Sequence, residues 1–134
     1  MRVMGHNVLA IIVAAIAIYL LEFVIFALLM TPQQYEALTG LTPEQHVAGM
    51  SRMPVGAVIP ILTAIGLSLA IKWRNASGAW GGATTALILA VLFGFGTSLY
   101  SYVYGGHTEA YLPINLAHFL VCWGGAGAIL GAWK

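Results

Sequence analysis

The stretch VLAIIVAAIAIYLLEFVIFALLM, residues 8–30, decides the fold, because Glu22 is its single charged residue. A helix of about 20 apolar residues is long enough to cross the hydrocarbon core of a bilayer. A small soluble domain cannot bury so long an apolar segment, and a carboxylate at that depth is costly unless it is neutral or paired. The stretch therefore predicts a membrane span that carries an ionisable group.

The composition of the whole chain indicates the same solvent. The 134 residues are 60% hydrophobic and only 7% charged, whereas charged residues make up about 25% of a soluble domain. The net charge is +1, which gives no indication of a nucleic-acid partner. We therefore expect a single domain, residues 1–134, that lies in a lipid bilayer.

Four apolar segments are long enough to span the membrane, at about residues 7–30, 54–73, 82–104 and 112–133. Because lipid offers backbone groups no hydrogen-bond partners, each segment should be helical. We predict an all-α, integral membrane four-helix bundle. Residues 31–53 would form a long outer loop with short interfacial helices, because Thr31-Pro32 and Thr42-Pro43 are typical of helix starts.

Positive residues are divided unequally between the two sides of this arrangement. Four lie on the side of both termini (Arg2, Lys72, Arg74 and Lys134), and Arg52 lies on the other. Because short cytoplasmic loops are enriched in Lys and Arg, we expect both termini in the cytoplasm.

Each span carries polar side chains, and a rise of 1.5 Å per residue places them at a similar depth, in the outer half of the bilayer. This polar level contains Glu22, Thr63, Thr97, Ser98, Ser101, Asn115 and His118. Polar groups in hydrocarbon face the bundle interior and pair with one another. We predict a hydrogen bond between Glu22 and His118, made directly or through another member of the level. The contact either fixes helix register or forms a site for a proton, an ion or a cofactor.

His118 also has the chemistry to bind a cofactor. A ring nitrogen of histidine can coordinate the metal of a tetrapyrrole, and a carotenoid is another candidate. The aromatic residues that could line a pigment pocket also suit ordinary packing; they are Phe93, Phe95, Phe119 and Trp123. The sequence itself requires no cofactor.

Glycines in the third and fourth segments suit close helix contacts; they are Gly94, Gly96, Gly124, Gly127 and Gly131. Gly127 and Gly131 form a GxxxG pattern, and such small faces let helices approach closely in lipid. These faces either pack within one bundle or dock on another subunit or a second copy of the chain.

Catalytic motifs are absent from the sequence. The chain has no Asp, so Glu22 has no carboxylate partner for general acid–base chemistry within the membrane. No nucleophile or phosphate-binding motif is present, and the spacing of His46, His107 and Glu109 matches no metal site. We therefore predict a protein that is not an enzyme and that has no catalytic or metal-ligating residues.

Short motifs along the chain carry a resemblance to a known family. They are Asn7-Val-Leu-Ala-Ile-Ile-Val-Ala-Ala, Gly40-Leu-Thr-Pro-Glu, Ile114-Asn-Leu-Ala-His-Phe-Leu and Gly127-Ala-Ile-Leu-Gly-Ala-Trp. With them the chain resembles a group of small bacterial membrane proteins defined as a domain of unknown function, number 1761. The resemblance implies a bacterial four-helix membrane protein and no particular activity. Members usually have a Trp-Tyr-Ser-Pro-like stretch where this chain has Glu22-Phe-Val-Ile-Phe, so Glu22 is expected to be a specialisation of this chain.

Two functions follow as hypotheses. The first is a non-catalytic accessory or scaffolding subunit of a bacterial inner membrane, docked on a larger membrane complex, because the chain is small, glycine-rich and without catalytic groups. The alternative is a protein that binds a tetrapyrrole or carotenoid, or that transports a small solute or protons, at the level of Glu22 and His118.

Overall fold

A computed structural model describes residues 2–3 and 5–133, and it is all-α apart from a short N-terminal ribbon. As predicted, four long apolar helical spans pack against one another. They are span 1 (Val8–Leu28), span 2 (Met53–Trp73), span 3 (Gly78–Tyr104) and span 4 (Tyr111–Ala132). Their lengths of 21 to 27 residues and mean hydropathies of 1.4 to 2.9 suit a bilayer core. The chain is therefore a multi-pass membrane protein.

The spans are not uniform α-helices. In chain order the α-helices are α1 (Val8–Phe23), α2 (Pro32–Thr39), α3 (Pro43–Met50), α4 (Met53–Gly56), α5 (Val58–Trp73), α6 (Gly78–Leu89), α7 (Gly96–Tyr104) and α8 (Tyr111–Ala132). Two π-helical segments accompany them: Val24–Leu28 completes span 1 after α1, and Ala90–Phe95 joins α6 to α7. The ribbon pairs β1 (Arg2–Val3) with β2 (His6–Asn7) in antiparallel register.

Span 3 begins at Gly78, whereas the sequence predicts a start near residue 82. Gly78 has a φ of +73°, a left-handed conformation that glycine adopts without the steric penalty of a Cβ. Gly81 and Gly82 then continue the helix although glycine disfavours helices. They do so because Gly82 packs directly against span 4, so tertiary packing outweighs local propensity here.

The two outer-loop helices begin as predicted. In each, a threonine hydroxyl accepts a hydrogen bond from the backbone N–H three residues later, and the glutamine there bonds back to the threonine N–H. The distance from the glutamine backbone N to the threonine Oγ1 is 3.2 Å at Thr31 and 3.3 Å at Thr42. The distance from the threonine backbone N to the glutamine Oε1 is 2.9 Å in both. These capping boxes satisfy N–H groups that a helix start otherwise leaves open.

The buried core consists mainly of small side chains. Ala14, Ala64, Ala86 and Ala126 are fully buried, and Ile18 is the largest side chain that is buried to the same degree. Large apolar side chains instead point outward along spans 1 to 3, and Val121 does so on span 4. Membrane helices associate by close packing of small residues, because lipid tails provide no hydrophobic driving force between them. The arrangement is thus the one expected in a bilayer.

The bundle has two unlike ends. The loop end carries α2, α3 and the 105–110 connection, and Thr108 joins them because its backbone N–H and its hydroxyl both donate to the Leu38 carbonyl, at 2.9 and 3.0 Å. The terminal end carries the ribbon, the 74–77 turn and Trp133, whose carbonyl accepts a hydrogen bond from the Asn7 side chain at 3.1 Å. The loop end is therefore covered by two connected segments.

Candidate functional site

Glu22 of span 1 and His118 of span 4 lie in direct contact. Oε1 of Glu22 is 3.3 Å from Nε2 of His118, although 96 residues separate them along the chain. Helices α1 and α8 pack closely at this level, since a Cβ placed on Gly125 would lie 3.9 Å from Leu21. The Glu22 side chain is 28% exposed and that of His118 only 11%, so the histidine is the more enclosed partner.

The second ring nitrogen of His118 is left without a partner. Nδ1 is buried and makes no hydrogen bond to any described residue. Two phenyl rings enclose the imidazole: the Phe26 centroid lies 4.9 Å away with its ring nearly perpendicular, and the Phe119 centroid lies 4.8 Å away. The site thus combines an ionisable pair with an unsatisfied nitrogen in an aromatic surrounding.

Both π-helical segments lie close to the polar level. The segment Val24–Leu28 begins directly after α1, two positions after Glu22, and contains Phe26. The segment Ala90–Phe95 ends just before Thr97 and Ser98. Single π-helical turns inside α-helices occur frequently at functional sites. The apolar sequences of both segments give no signal from which these turns could be predicted.

A second polar pair lies in the same half of the bundle. The side-chain amide of Asn115, which is 6% exposed, donates to the Ser98 hydroxyl at 2.8 Å. Ser98 in turn donates to the Phe95 carbonyl at 2.7 Å. Asn115 therefore links span 4 to span 3, and the contact between Glu22 and His118 is made without it.

Three other predicted members of the polar level do not join either pair. Thr97 donates to the Phe93 and Gly94 carbonyls of its own helix. Ser101 offers its backbone carbonyl to two N–H groups of the following connection. Thr63 lines a separate apolar groove with Phe93 and Trp123 among its walls.

The GxxxG pattern of span 4 packs inside the bundle against span 3. A Cβ on Gly127 would collide with the Ala86 side chain and come within 2.6 Å of the Gly82 carbonyl oxygen. A Cβ on Gly131 would collide with the Gly78 carbonyl and lie 2.8 Å from the Cα of Gly82. Backbone meets backbone here, so only glycine fits at these positions.

The other three glycines differ in their surroundings. A Cβ on Gly94 would lie 2.6 Å from the Phe119 ring, and one on Gly124 would lie 3.0 Å from the Leu87 side chain. Gly96 meets only the Val91 carbonyl, at 3.6 Å. Four of the five predicted glycines therefore face another span of the chain.

The loop end supplies polar and aromatic contacts that the sequence reasoning missed. Nδ1 of His46 lies 2.7 Å from Oε1 of Glu36, which joins α3 to α2. The Tyr35 ring lies 5.6 Å from that of His46 and 6.0 Å from that of Phe26. Burial raises the pKa of Tyr35, so its phenol stays neutral. Helices α2 and α3 thereby pack on Phe26, which lies between them and the Glu22–His118 pair.

The three loop residues considered as metal ligands have separate partners. His46 pairs with Glu36. The His107 ring packs edge-on against that of Tyr111, with the ring centroids 4.8 Å apart. Glu109 accepts a hydrogen bond from Tyr102 at 3.3 Å. Burial lowers the pKa of His107. No group of three potential metal ligands occurs among residues 2–3 and 5–133.

Comparison with known proteins places the chain in a family. No curated protein and no solved structure matches it significantly. The model of one family, described as "Protein of unknown function (DUF1761)", matches residues 9–131. This range is nearly the whole chain and includes Glu22, His118 and the glycine contacts of spans 3 and 4, and the protein is therefore a member of the DUF1761 family.

Proposed function

We propose that this protein is a non-catalytic membrane protein that binds a small ligand through the Glu22–His118 pair. The observation that carries the proposal is Nδ1 of His118, which is buried without a hydrogen-bond partner while Nε2 faces Glu22. Buried polar groups without partners are rare in proteins and call for an explanation. A ligand that forms a hydrogen bond with Nδ1 provides this explanation.

The membrane restricts the charge of the pair. A net charge within hydrocarbon is costly, so the stable forms of Glu22 and His118 together carry none. One neutral form has an ionised carboxylate and a doubly protonated ring. Another has a protonated carboxyl that donates to Nε2 of a neutral ring. In both forms Nδ1 carries a hydrogen and needs an acceptor.

A third neutral form has Nε2–H donating to a protonated carboxyl. It leaves the Nδ1 lone pair without a donor, and the carboxyl O–H must find a different acceptor. Each neutral form thus leaves a polar group of the pair unsatisfied, at a cost of about 1–3 kcal/mol. A ligand atom that accepts from Nδ1–H removes this cost in the first two forms. We therefore expect a small molecule that bears a hydrogen-bond acceptor.

Access to Nδ1 requires movement of an aromatic ring. Phe26 is the better candidate, because it belongs to the π-helical segment of span 1 and lies beneath Tyr35 of the outer helix α2. Displacement of Phe26 opens the nitrogen toward the loop end. Binding is favoured over transport because the bundle beyond the pair is closed by the buried side chains of Ala14, Cys122 and Ala126.

A tetrapyrrole is the second candidate ligand. Histidines that coordinate a metal usually donate their other ring N–H to a carboxylate, and Nε2 of His118 faces Glu22 in this way. The positive charge of the metal would balance the ionised carboxylate. A macrocycle on Nδ1 has to displace both Phe26 and Phe119, so the smaller ligand is favoured.

The role of an accessory subunit stays a prediction. It was motivated by glycine faces that could dock on another protein, but Gly94, Gly124, Gly127 and Gly131 meet neighbours within the chain. The surface that remains consists of larger apolar side chains, which suit contact with lipid. A cytoplasmic location of both termini in a bacterial inner membrane likewise stays a prediction from the distribution of Lys and Arg.

Co-purification tests the proposed function. The full chain is extracted in mild detergent and examined by native mass spectrometry and visible absorption. We expect the wild type to retain a small molecule that Glu22→Gln and His118→Ala lose. Thr84→Val is the control, because it removes a hydroxyl whose one hydrogen-bond partner among the described residues is the Trp80 carbonyl of its own helix, at 2.7 Å.

The outcomes separate the alternatives. A wild-type protein without a bound molecule, or equal retention by both pair variants, contradicts the proposal. A visible absorption band lost in His118→Ala selects the tetrapyrrole. Co-purification of a second membrane protein that is unaffected by Glu22→Gln would instead support the accessory-subunit hypothesis.

A further inference from the structure

A pocket at the terminal end has no part in the proposed function. It lies between the ribbon, α1, α5 and the end of span 4, and its volume is about 290 Å³. Pockets for drug-sized ligands run from about 300 to 1,000 Å³. This pocket therefore suits a compact chemical group.

The rim of the pocket provides a positive charge. Lys72 lines it, and its ammonium lies against the ribbon turn, where a Cβ on Gly5 would come within 2.7 Å of Nζ. The Lys72 side chain is exposed at the terminal end of span 2. A Lys ammonium binds anionic oxygen as a compact point charge with three donors.

The rim also provides a neutral hydrogen-bond donor. Nδ1 of His6 lies 2.8 Å from Oγ of Ser68, which links the ribbon to α5. If Ser68 donates in this bond, the Nε2–H of His6 remains to be donated. If Nδ1 donates, the hydroxyl hydrogen of Ser68 remains. In either tautomer one donor beside Lys72 is left for a ligand.

The floor of the pocket is apolar. It is formed by Ala10, Ile71 and Leu130, which are 1%, 2% and 5% exposed. Trp133 lines one side, and Trp side chains typically lie at the level of lipid headgroups. A polar rim above an apolar floor suits a group that is anionic at one end and carbon-based at the other.

Acidic side chains lie far from this pocket. The chain has four, and they are Glu22, Glu36, Glu44 and Glu109. The last three belong to the loop end, and Glu22 lies in the half of span 1 nearest to it. The terminal end, in contrast, carries Lys72 and Arg74. An anion entering the pocket therefore meets attraction from both cations, and no acidic side chain of the residues that the structure describes opposes it.

We propose that the pocket binds a phosphate group, with Lys72, Ser68 and His6 as its ligands. Two sources share this chemistry: the headgroup of an anionic phospholipid and free inorganic phosphate. The apolar floor and Trp133 favour the lipid, whose glycerol carbons continue from the phosphate. Basic residues beside a membrane surface attract such headgroups.

Binding to the full chain in neutral detergent tests the proposal. One arm titrates phosphatidylglycerol, with phosphatidylcholine for comparison, and the other titrates inorganic phosphate at constant ionic strength. Native mass spectrometry and thermal stability give the affinities. Lys72→Gln should weaken binding about fivefold, because one Lys near a membrane surface contributes about 1 kcal/mol.

Matched variants distinguish binding in the pocket from general electrostatic attraction to the positive charges at this end. Arg74→Gln removes the same charge at the same end, but Arg74 does not line the pocket and instead donates to Thr85 at 2.9 Å. We expect a change below twofold for Arg74→Gln. If Lys72→Gln does not fold, Ser68→Ala replaces it, since it removes one hydroxyl from the rim.

Each outcome decides the proposal. A selective effect of Lys72→Gln or Ser68→Ala on phosphatidylglycerol supports a lipid site. The same selectivity for inorganic phosphate alone supports a site for the free ion. Equal effects of Lys72→Gln and Arg74→Gln, or no binding in either arm, overturn the proposal. None of these results depends on the Glu22–His118 pair, so the two proposals fail independently.

Discussion

The two halves of the bundle are joined by different chemistry. Near the terminal end, spans 3 and 4 meet through the glycine backbones of Gly82, Gly127 and Gly131. Near the loop end, hydrogen-bonded side chains link the spans, and the contact between Glu22 and His118 joins two ionisable side chains. Close packing depends on shape alone, whereas a polar pair can change its protonation and its partners. The half near the terminal end therefore has a close-packed frame, and the half near the loop end is joined by polar contacts.

Gly82→Leu tests the frame and should have the largest effect. A Cβ on Gly82 would overlap the Gly127 carbonyl and lie 2.8 Å from the Cα of Gly131, and backbone atoms cannot move aside as a side chain can. We expect the free energy of unfolding to fall by about 3 kcal/mol or more, measured by denaturation in mixed micelles. Gly66→Leu is the control, because nothing lies within 4 Å of a Cβ there. An equal loss in the control would rule out the contact as the cause.

A double-mutant cycle at Glu22 and His118 tests the other half. Glu22→Leu and His118→Leu each leave one ionisable side chain without its partner, which should cost about 1–3 kcal/mol apiece. The double variant removes both groups and should be more stable than the sum of the single losses predicts. We expect a coupling of about 0.6–1.7 kcal/mol, the range for polar contacts between membrane helices. Strict additivity would show that the two side chains do not interact.

The comparison also shows which features were predictable from the sequence. Span number, capping boxes and the depth of Glu22 and His118 follow from length, hydropathy and local spacing, and these depend on the chain alone. The sequence does not predict which side of each helix faces its neighbours, because helices that are apolar on all sides give no amphipathic signal. The matching of Gly82 to Gly131 and the isolation of Thr63 from the polar level therefore became apparent only in three dimensions.

Other features depend on contacts between distant segments. The π-helical turns have ordinary apolar sequences, so packing rather than propensity selects them. The His46–Glu36 pair and the pocket at His6 and Ser68 need a particular fold of the loop and of the N-terminus. The sequence shows the density of cations at the terminal end, and this density predicts orientation but not a pocket.

Asn115→Leu should have a smaller effect than the Glu22–His118 variants. It removes the hydrogen bond from the Asn115 amide to Ser98, whose hydroxyl keeps its bond to the Phe95 carbonyl. We expect a loss of about 0.6 kcal/mol, the average for such contacts in membranes. The same denaturation assay measures it, and Ser98→Ala in the Asn115→Leu background should add little. A loss as large as that of Gly82→Leu would contradict the division into a close-packed half and a polar half.

Acidification should produce the smallest change, confined to the loop end. Burial holds the pKa of His107 below its ordinary value of about 6.5. The unfolded form therefore binds a proton more readily than the folded form, and the stability of this end falls as the pH drops through 6.5 toward the folded pKa. Relative to the intrinsic exchange rate at each pH, hydrogen exchange of residues 105–110 should accelerate between neutral and mildly acidic pH, while that of residues 74–77 stays unchanged.

His107→Gln tests whether His107 is the group that causes this effect. The variant should lose most of the pH dependence in residues 105–110. Retention of the full effect would assign the acceleration to another group.

The separation of Glu22 from His118 by 96 residues has a consequence for biosynthesis. Span 1 emerges from the ribosome first, so its carboxyl enters the bilayer before its histidine has been translated. Its mean hydropathy of 2.9 is the highest of the four spans and offsets the burden of an unpaired acid during insertion. Span 4 has the lowest value, 1.4, and the largest buried share, 39%. Span 4 therefore depends on contacts with the three spans already inserted. Its insertion completes the bundle and brings His118 to Glu22.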